Sequence, residues 1–591
     1  MNGLAHDVVA AQLLGHQHRP EIDDEITGER AVSEARGEDP ACGLRGTVDR
    51  GARESVTNGR PGPPSPRACG KLPPVGSRRK LPIGIQTFRT IREEGCYYVD
   101  KTPYVRRLVE EGSHYFLSRP RRFGKSLFLD TLKELFEGSE ALFEGLDIHG
   151  RRDWSIRHPV LRFSFGAGDF EQPGFLEASC MEKLAAAEAE AEVTTEYATP
   201  SGRFAALLAA LHRRTGQRVV VLVDEYDKPI LDALETPDIA RANRNFLRGL
   251  YSVIKDSDAH VRFTFITGVS KFSKVSLFSG LNNLRDITLD PRYSGICGYT
   301  DADLDTVFAP ELPGLDRDEI RRWYNGYDWL GGERVYNPFD ILLLFDSRKF
   351  AAHWFETGTP TFLVETLVER GVGSFALEGM AGTDELLSTF DVGDMATEAL
   401  LFQTGYLTIR DHERSGGRTL YRLGYPNQEV RQSLNDSLSR YLAGDSTRQT
   451  ANSIRLHELL KANDFTGLKT LFHAFYASIP HQWYANNDIA NFEGYYASVF
   501  YSYFAGLGLD VVVEDSTSHG RLDMAVRFNG QVYLFEFKVV EMAPEGAAMA
   551  QLKNRRYADK YRYLGQPIHL IAVEFSKDAR NLAAFEVERA A

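Results

Sequence analysis

Three residues near the end of the chain, Asp523, Glu536 and Lys538, are of types that handle a divalent cation and a phosphate, and a tight turn decides whether they meet. They lie in Leu522 to Val539, LDMAVRFNGQVYLFEFKV, where Asn529-Gly530 separates two alternating apolar runs. An Asn-Gly pair in that setting predicts a two-residue hairpin, because both central residues of a type I′ turn need positive φ. Counting outward pairs Phe528 with Gln531 and Val526 with Tyr533, and it sets Asp523 opposite Glu536 with Lys538 on the same face. Two carboxylates held side by side repel unless something positive sits between them, and a magnesium-like ion with oxygen ligands meets that need. A cross-strand acid pair neutralised by Lys538 on a solvated face would read the same way.

A second constellation lies upstream. The apolar segment His114 to Leu117 runs into Ser118-Arg119-Pro120-Arg121-Arg122-Phe123-Gly124-Lys125-Ser126 and then an amphipathic helical run, Leu127 to Phe136. A phosphate loop needs backbone N–H groups and a helix N-terminus facing the anion, a Lys for the β- and γ-phosphates and a hydroxyl for Mg²⁺. Lys125 and Ser126 supply the last two. In G-x-x-x-x-G-K-[ST] the first Gly would fall at Arg119, so by pattern alone the match is partial and a chance Gly-Lys-Ser stays open. The partner strand is Arg218 to Glu225, RVVVLVDE, an apolar run of buried parallel type that ends in two acids. There Asp224 would hold the Mg²⁺ shell and Glu225 would polarise the attacking water. Either acid alone could instead cap the next helix. A third strand, Val261 to Ile266, ends in Thr267-Gly268-Val269-Ser270-Lys271-Phe272, which places Thr267 where a polar group can sense a γ-phosphate.

Together with Val223-Asp224-Glu225-Tyr226-Asp227-Lys228-Pro229, these segments resemble the AAA-ATPase-like family of mostly uncharacterised bacterial proteins. Pro82-Ile83-Gly84-Ile85 and Tyr98-Val99-Asp100-Lys101-Thr102 resemble its opening. An Arg at the first-Gly position is usual in that family. The resemblance implies ATP held by Arg119, Arg121, Arg122, Phe123, Gly124, Lys125, Ser126, Leu127, Asp224 and Thr267, with Mg²⁺ on Ser126 and Asp224 and Glu225 as the catalytic base. The family commonly carries a PD-(D/E)xK domain at its C-terminus, and Asp523, Glu536 and Lys538 resemble the core of that nuclease superfamily. The first motif is Leu522-Asp523 where Pro-Asp is more specific. The superfamily often adds a Glu on a preceding helix. Glu493, in Asn491 to Tyr496 at the start of an aromatic run to about Phe504, matches it and becomes an implied metal ligand beside Asp523 and Glu536. Gln551 and Tyr557, in MAQLKNRRYADKYR, resemble a further helix of the family. The implied mechanism is metal activation of water for in-line attack on a phosphodiester of DNA or RNA, with Lys538 steadying water and phosphate.

The elements that must position these groups set an α/β fold class. Residues 79–299 are expected to form an AAA-like P-loop NTPase domain on a parallel sheet, 300–435 a helical lid or connector with a small β-ribbon, and 436–591 a helical lead-in to a restriction-endonuclease-like α/β domain. Three or four units fit 591 residues at about 150 per domain. Residues 1–78, rich in charge, Gly and Pro, are expected to be disordered. No apolar run approaches the ~20 residues of a membrane span, so the expectation is a cytoplasmic protein without membrane contact. Five scattered cysteines, Cys42, Cys69, Cys96, Cys180 and Cys297, lack C-x-x-C spacing and argue against disulfides and zinc. A net charge of −13 argues against a surface coated in nucleic acid, and leaves Lys553-Asn554-Arg555-Arg556 as either a local basic patch or a solvated helix face. The expected function is an ATP-binding and hydrolysing P-loop protein fused to a Mg²⁺-dependent nuclease-like domain that acts on nucleic acid. The alternative is a nucleotide-switched binding or signalling module whose nuclease-fold domain recognises a partner without cleavage. AAA-like proteins often complete their sites with an Arg from a neighbour, so a homo-oligomer is allowed.

Overall fold

In the computed structural model the described residues are 78–590, except 273–276, 279, 355–360, 371, 389, 392–393, 444–445 and 479–492. The N-terminal extension of the sequence reading lies outside them apart from its last residue.

Five parallel strands, β1 (His114–Ser118), β2 (Val160–Ser164), β3 (Val219–Asp224), β4 (Val261–Gly268) and β5 (Arg285–Asp286), form one sheet in the order β2-β3-β4-β1-β5. Every residue of β1 and β3 is buried, as expected of strands covered on both faces by helices. Helices Lys125–Glu137, Phe175–Glu190, Pro200–Thr215 and Pro237–Asp256 bury apolar residues in the same core. Because the strands run parallel, β1, β3 and β4 all end at one edge of the sheet, and there the loop 119–124, Asp224 and Thr267 come together.

Beyond the sheet, Thr300 and Asp303 form a capping box that starts a helix over Asp301–Thr306. Asn337 caps Pro338–Ser347, with Pro at its first position. The connector carries a three-stranded antiparallel sheet, β6 (Ala381–Thr383), β9 (Thr408–Ser415) and β10 (Arg418–Gly424), and a two-residue ribbon, β7 (Phe390–Asp391) with β8 (Asp394–Met395). Helix Gln428–Ala443 then leads toward the C-terminal sheet.

That sheet has five strands in chain order, β11 (Asp510–Thr517), β12 (Gly520–Phe528), β13 (Gln531–Val539), β14 (Ile568–Ser576) and β15 (Asn581–Arg589). Its β13–β14 pair is parallel and the others antiparallel. Phe535, Phe537 and Phe575 face helix Glu493–Gly506, where Phe500 and Phe504 meet them; Val532 and Leu534 face helix Ala547–Asn554 on the other side. The helical run around Gln551 and Tyr557 is not continuous. It stops at Asn554, turns through Arg556 at φ 50°, and resumes as a 3₁₀ segment, Tyr557–Leu564. The break turns Tyr557 and Tyr561 inward, with hydroxyls on the Arg521 carbonyl and the Asp515 carboxylate.

Two glycines separate backbone strain from crowding. Gly530, at φ 71° in the hairpin turn, would present a Cβ to open space, whereas at Gly326, φ 126°, a Cβ would lie 1.9 Å from the Pro426 carbonyl oxygen. Gly530→Ala should cost about 1–2 kcal/mol of left-handed backbone strain. Gly326→Ala should lose about 1–3 kcal/mol more through overpacking. Denaturant midpoints at unchanged m-value measure both, and equal losses would contradict the reading.

A phosphate loop and a carboxylate pair as candidate functional sites

The loop after β1 is shaped by two left-handed residues, Arg122 at φ 66° and Gly124 at φ 87°, which turn the chain into helix Lys125–Glu137. Phe123 anchors the turn from behind, edge-on to Tyr327 and Trp329 at ring distances of 4.8 and 5.4 Å. Arg119 also faces away from the opening. It is 1% exposed, donates to the Ser118 and Thr288 carbonyls at 2.9 Å and to Tyr293 O at 3.3 Å, and lies 4.1 Å from the Trp329 ring. Burial pulls its guanidinium down to about 10. The Lys125 ammonium is buried too, and donates to the Arg119 and Pro120 carbonyls at 2.9 and 2.8 Å. That burial lowers its pKa, while Asp224 opposes the shift.

In front of the loop lies a cavity of about 420 Å³. Arg121, Arg122, Lys125, Ser126 and Glu225 line its polar side, with Gly124 and Leu127 in the same wall, and Ile85, Phe339 and Leu342 its apolar side. The Arg122 guanidinium sits 3.9 Å from the Phe339 ring. Glu225 stands at φ 51° directly after β3, and burial, joined by the Asp224 charge, raises its carboxyl above the ordinary range. Asp224 is 2% exposed. Its Oδ2 accepts from Arg162 at 3.4 Å, while its Oδ1 has no hydrogen-bond partner among the described residues. A buried carboxylate oxygen without a donor, near the Lys125 charge and at the edge of the sheet where the helix bearing Ser126 begins, is chemistry that fits the water shell of a hard cation such as Mg²⁺. Thr267 is fully buried and donates to the Leu117 carbonyl at 2.8 Å, outside the cavity lining. Asp227, not singled out from the sequence although it lies in Val223 to Pro229, holds the end of β4 by accepting from Val269 N and Ser270 N at 3.0 and 2.6 Å.

At the C-terminal sheet, Asn529 and Gly530 have φ of 51° and 71°, as a type I′ turn requires, and Phe528 pairs with Gln531 and Val526 with Tyr533. The backbone ladder runs to Met524 opposite Phe535. One residue further the Asp523 side chain takes over, its Oδ2 accepting from Phe537 N at 2.8 Å. Glu536 is 0% exposed. Lys538 Nζ lies 3.3 Å from Glu536 Oε1, 4.0 Å from Asp523 Oδ2 and 2.7 Å from the Phe537 carbonyl oxygen. The three side chains are thus brought together, with the ammonium between the carboxylates. Two carboxylates on rigid strands offer hard oxygen donors of the kind Mg²⁺ takes. No group of three or more His, Cys, Asp or Glu side chains with metal-binding spacing occurs among the described residues. Glu493 opens helix Glu493–Gly506; its side chain lies outside the described residues. Tyr557 overlooks the pair, its phenol raised by burial first and then by the Glu536 and Asp523 charges, and Gln551 Nε2 reaches its hydroxyl at 3.4 Å. Glu574, which the sequence reading missed, accepts from Gly546 N and Ala548 N and so fixes the start of helix Ala547–Asn554. The basic run around Lys553 is matched by acids: Lys553 pairs with Glu588 at 2.6 Å and Arg556 with Asp559 at 2.8 Å.

A buried polar path leads away from the phosphate loop. Trp354 Nε1 donates to the Arg121 carbonyl at 3.2 Å, and Trp354 N donates to Glu429 Oε1 at 2.7 Å. Asp340, 1% exposed, hydrogen-bonds Glu429, 0% exposed; burial, then the Glu429 charge, hold the Asp340 proton well above the usual carboxylate range. Glu429 belongs to helix Gln428–Ala443, whose Arg431 donates to the Leu509 and Val511 carbonyls at the start of β11.

Comparison with known proteins gives two family matches and a relative. Residues 82–278 match the family described as predicted AAA-ATPase, and residues 491–585 match the PD-(D/E)XK nuclease superfamily. A protein of Azotobacter chroococcum mcd 1, described as an uncharacterized protein in the vnfD 5′ region, is 63% identical over 516 residues, which is 87% of this chain and 99% of the relative. No solved structure matches.

The Asp340–Glu429 pair sets a pH dependence of stability. A carboxyl whose proton the fold retains binds more protons folded than unfolded, so its contribution to stability is lost as pH rises above about 4, the ordinary Asp range, toward its folded value. Asp340→Asn keeps a donor toward Glu429 and removes that proton. The variant should therefore gain on the wild type as pH rises, by up to about 1.4 kcal/mol per pH unit, in chemical denaturation at pH 5 and pH 8. A difference independent of pH would show that the pair shares no proton.

Proposed function

This chain belongs to the predicted AAA-ATPase family and carries a PD-(D/E)XK nuclease superfamily domain at its C-terminus, and on that premise we propose that it hydrolyses ATP at one site and cleaves nucleic acid at the other. The observation that carries the reading is the cavity in which Lys125, Ser126 and Glu225 converge on one space large enough for a nucleoside triphosphate.

At that cavity Lys125 would exchange the two loop carbonyls for the β- and γ-phosphates, and Arg121 and Arg122 would take the remaining phosphate oxygens. Ser126 and Asp224 would hold Mg²⁺, which when bound neutralises the charge that develops on the phosphates. Glu225 would accept the proton of the attacking water. Arg119, Phe123, Leu127 and Thr267 would shape the loop, the first two and the last from behind and Leu127 from the cavity wall. At the second site Asp523 and Glu536, joined by Glu493, would hold Mg²⁺, and Lys538 would orient a water and the phosphodiester oxygen it attacks. The path from Trp354 through Glu429 to helix Gln428–Ala443 supports communication between the two, with ATP turnover gating access to nucleic acid. The cytoplasm supplies both the nucleotide and Mg²⁺.

A second reading is a nucleotide-switched module that binds a partner without cutting. The matching of Lys553 and Arg556 by Glu588 and Asp559 favours it, because paired cations attract a phosphate backbone weakly.

Lys125→Ala should abolish nucleotide binding, whereas Glu225→Gln should bind ATP and lose turnover by about 10²–10⁴-fold. Since Glu225 must be ionised to act and its pKa is raised, the acid limb of wild-type turnover should lie above about 4.3, the ordinary Glu value. A Glu225→Gln variant with unchanged turnover would remove the base assignment. For the second site, calorimetry should show Mn²⁺ binding in the wild type and a loss of about tenfold or more in Asp523→Asn; equal binding would remove Asp523 from the metal set.

A further inference from the structure

Arg162 stands on β2, in the strand beside β3, opposite Leu222 and two register steps before the pair Ser164 and Asp224. Its guanidinium is shared by two buried carboxylates. Nη1 donates to Asp130 Oδ1 at 2.8 Å and Nη2 to Asp224 Oδ2 at 3.4 Å. Asp130 and Asp224 are 5% and 2% exposed, and neither would tolerate the other's charge in so dry a place without a cation. Lys125 adds positive charge near Asp224, but two of its three donors go to the Arg119 and Pro120 carbonyls, and among the described residues it is Arg162 that is hydrogen-bonded to both carboxylates.

The two carboxylates belong to the two elements that carry the magnesium-shell oxygens of the reading above. Asp130 lies on helix Lys125–Glu137, just over one turn beyond Ser126, and Asp224 ends β3. One planar fork therefore fixes the spacing between Ser126 and Asp224. By occupying Asp224 Oδ2 it also sets the rotation of that carboxylate, which leaves Oδ1 as the oxygen without a partner among the described residues. The other Asp130 oxygen accepts from Phe88 N at 2.7 Å, so the same fork reaches the segment Pro82 to Ile91 that contributes to the cavity wall.

We propose that Arg162 is a positioning residue for the magnesium ion of the bound nucleotide, acting through Asp130 and Asp224 without touching the nucleotide. The inference rests on the ATP-binding reading. A lysine could neutralise one carboxylate at a time, but only a guanidinium spans both, so charge and geometry are separable by substitution.

The test is binding of a fluorescent ATP analogue to the full chain, titrated with Mg²⁺ and repeated in EDTA, for wild type, Arg162→Lys and Arg162→Met, with thermal melting alongside. The Mg²⁺ concentration that half-saturates the enhancement of binding should rise about 10–100-fold in Arg162→Met, as for groups that orient metal ligands, and by less in Arg162→Lys, while affinity in EDTA stays within about twofold. A folded Arg162→Met with an unchanged Mg²⁺ requirement would overturn the proposal. If Arg162→Met does not fold, Arg162→Lys decides: a raised Mg²⁺ requirement supports the role and an unchanged one overturns it. Wild-type nucleotide binding indifferent to Mg²⁺ would fail the ATP reading itself and the inference with it, a result separable from the variant effects.

Discussion

The first half of this fold depends on one buried ammonium. Lys125 lies in a dry loop where an isolated charge would be untenable, and it is accommodated because the loop bends its own Arg119 and Pro120 carbonyls onto it. Those carbonyls point inward because Arg122 and Gly124 adopt left-handed backbone and because Arg119 and Phe123 are fastened behind the loop to Thr288, Tyr293 and Trp329. The surrounding acids, Asp224, Glu225 and Asp227, are the negative charge that a buried lysine requires, and each is placed by the end of a parallel strand or the turn that follows it. A phosphate entering the cavity would replace the carbonyls with a better partner, so the geometry of the loop is itself a store of binding capacity.

The C-terminal sheet meets the same difficulty in antiparallel form. There Lys538 is held between Asp523 and Glu536 and by the Phe537 carbonyl, and the placement follows from a two-residue turn. A slip of one residue would carry Asp523 to the face packed by Phe500 and Phe504, so the apolar pattern and the turn protect the site together. Between the halves, Trp354, Asp340 and Glu429 form a buried polar connection with few ways to rearrange without exposing or stranding a carboxyl.

Features set by local chemistry are legible in the chain. Asn529-Gly530 predicts its own turn and register, Gly-Lys-Ser predicts a strand, loop and helix, and Val219 to Asp224 reads as a buried strand without help from elsewhere. What escapes is set by distant partners. Nothing near Arg119 says that its guanidinium turns toward the carbonyls of Thr288 and Tyr293, some 170 residues on. Arg162 is visible only as a lone cation in a short apolar strand, and its partners come from two other elements. The helix that reads as continuous through Arg555 and Arg556 breaks because Tyr557 is drawn to the Arg521 carbonyl, again a tertiary preference over a local one. Asp340 and Glu429 look like ordinary helix-terminal acids until the fold buries them against each other.

The central claim is that two phosphate-handling sites in one chain act on each other. It is tested most directly by cleavage of labelled single- and double-stranded DNA and RNA with Mg²⁺, with and without ATP, comparing the wild type with Asp523→Ala and Lys125→Ala. The account predicts cutting that disappears in Asp523→Ala and whose response to ATP disappears in Lys125→Ala. Absence of cutting under all of these conditions, with ATP turnover intact, would contradict it and leave the C-terminal domain as a binding module.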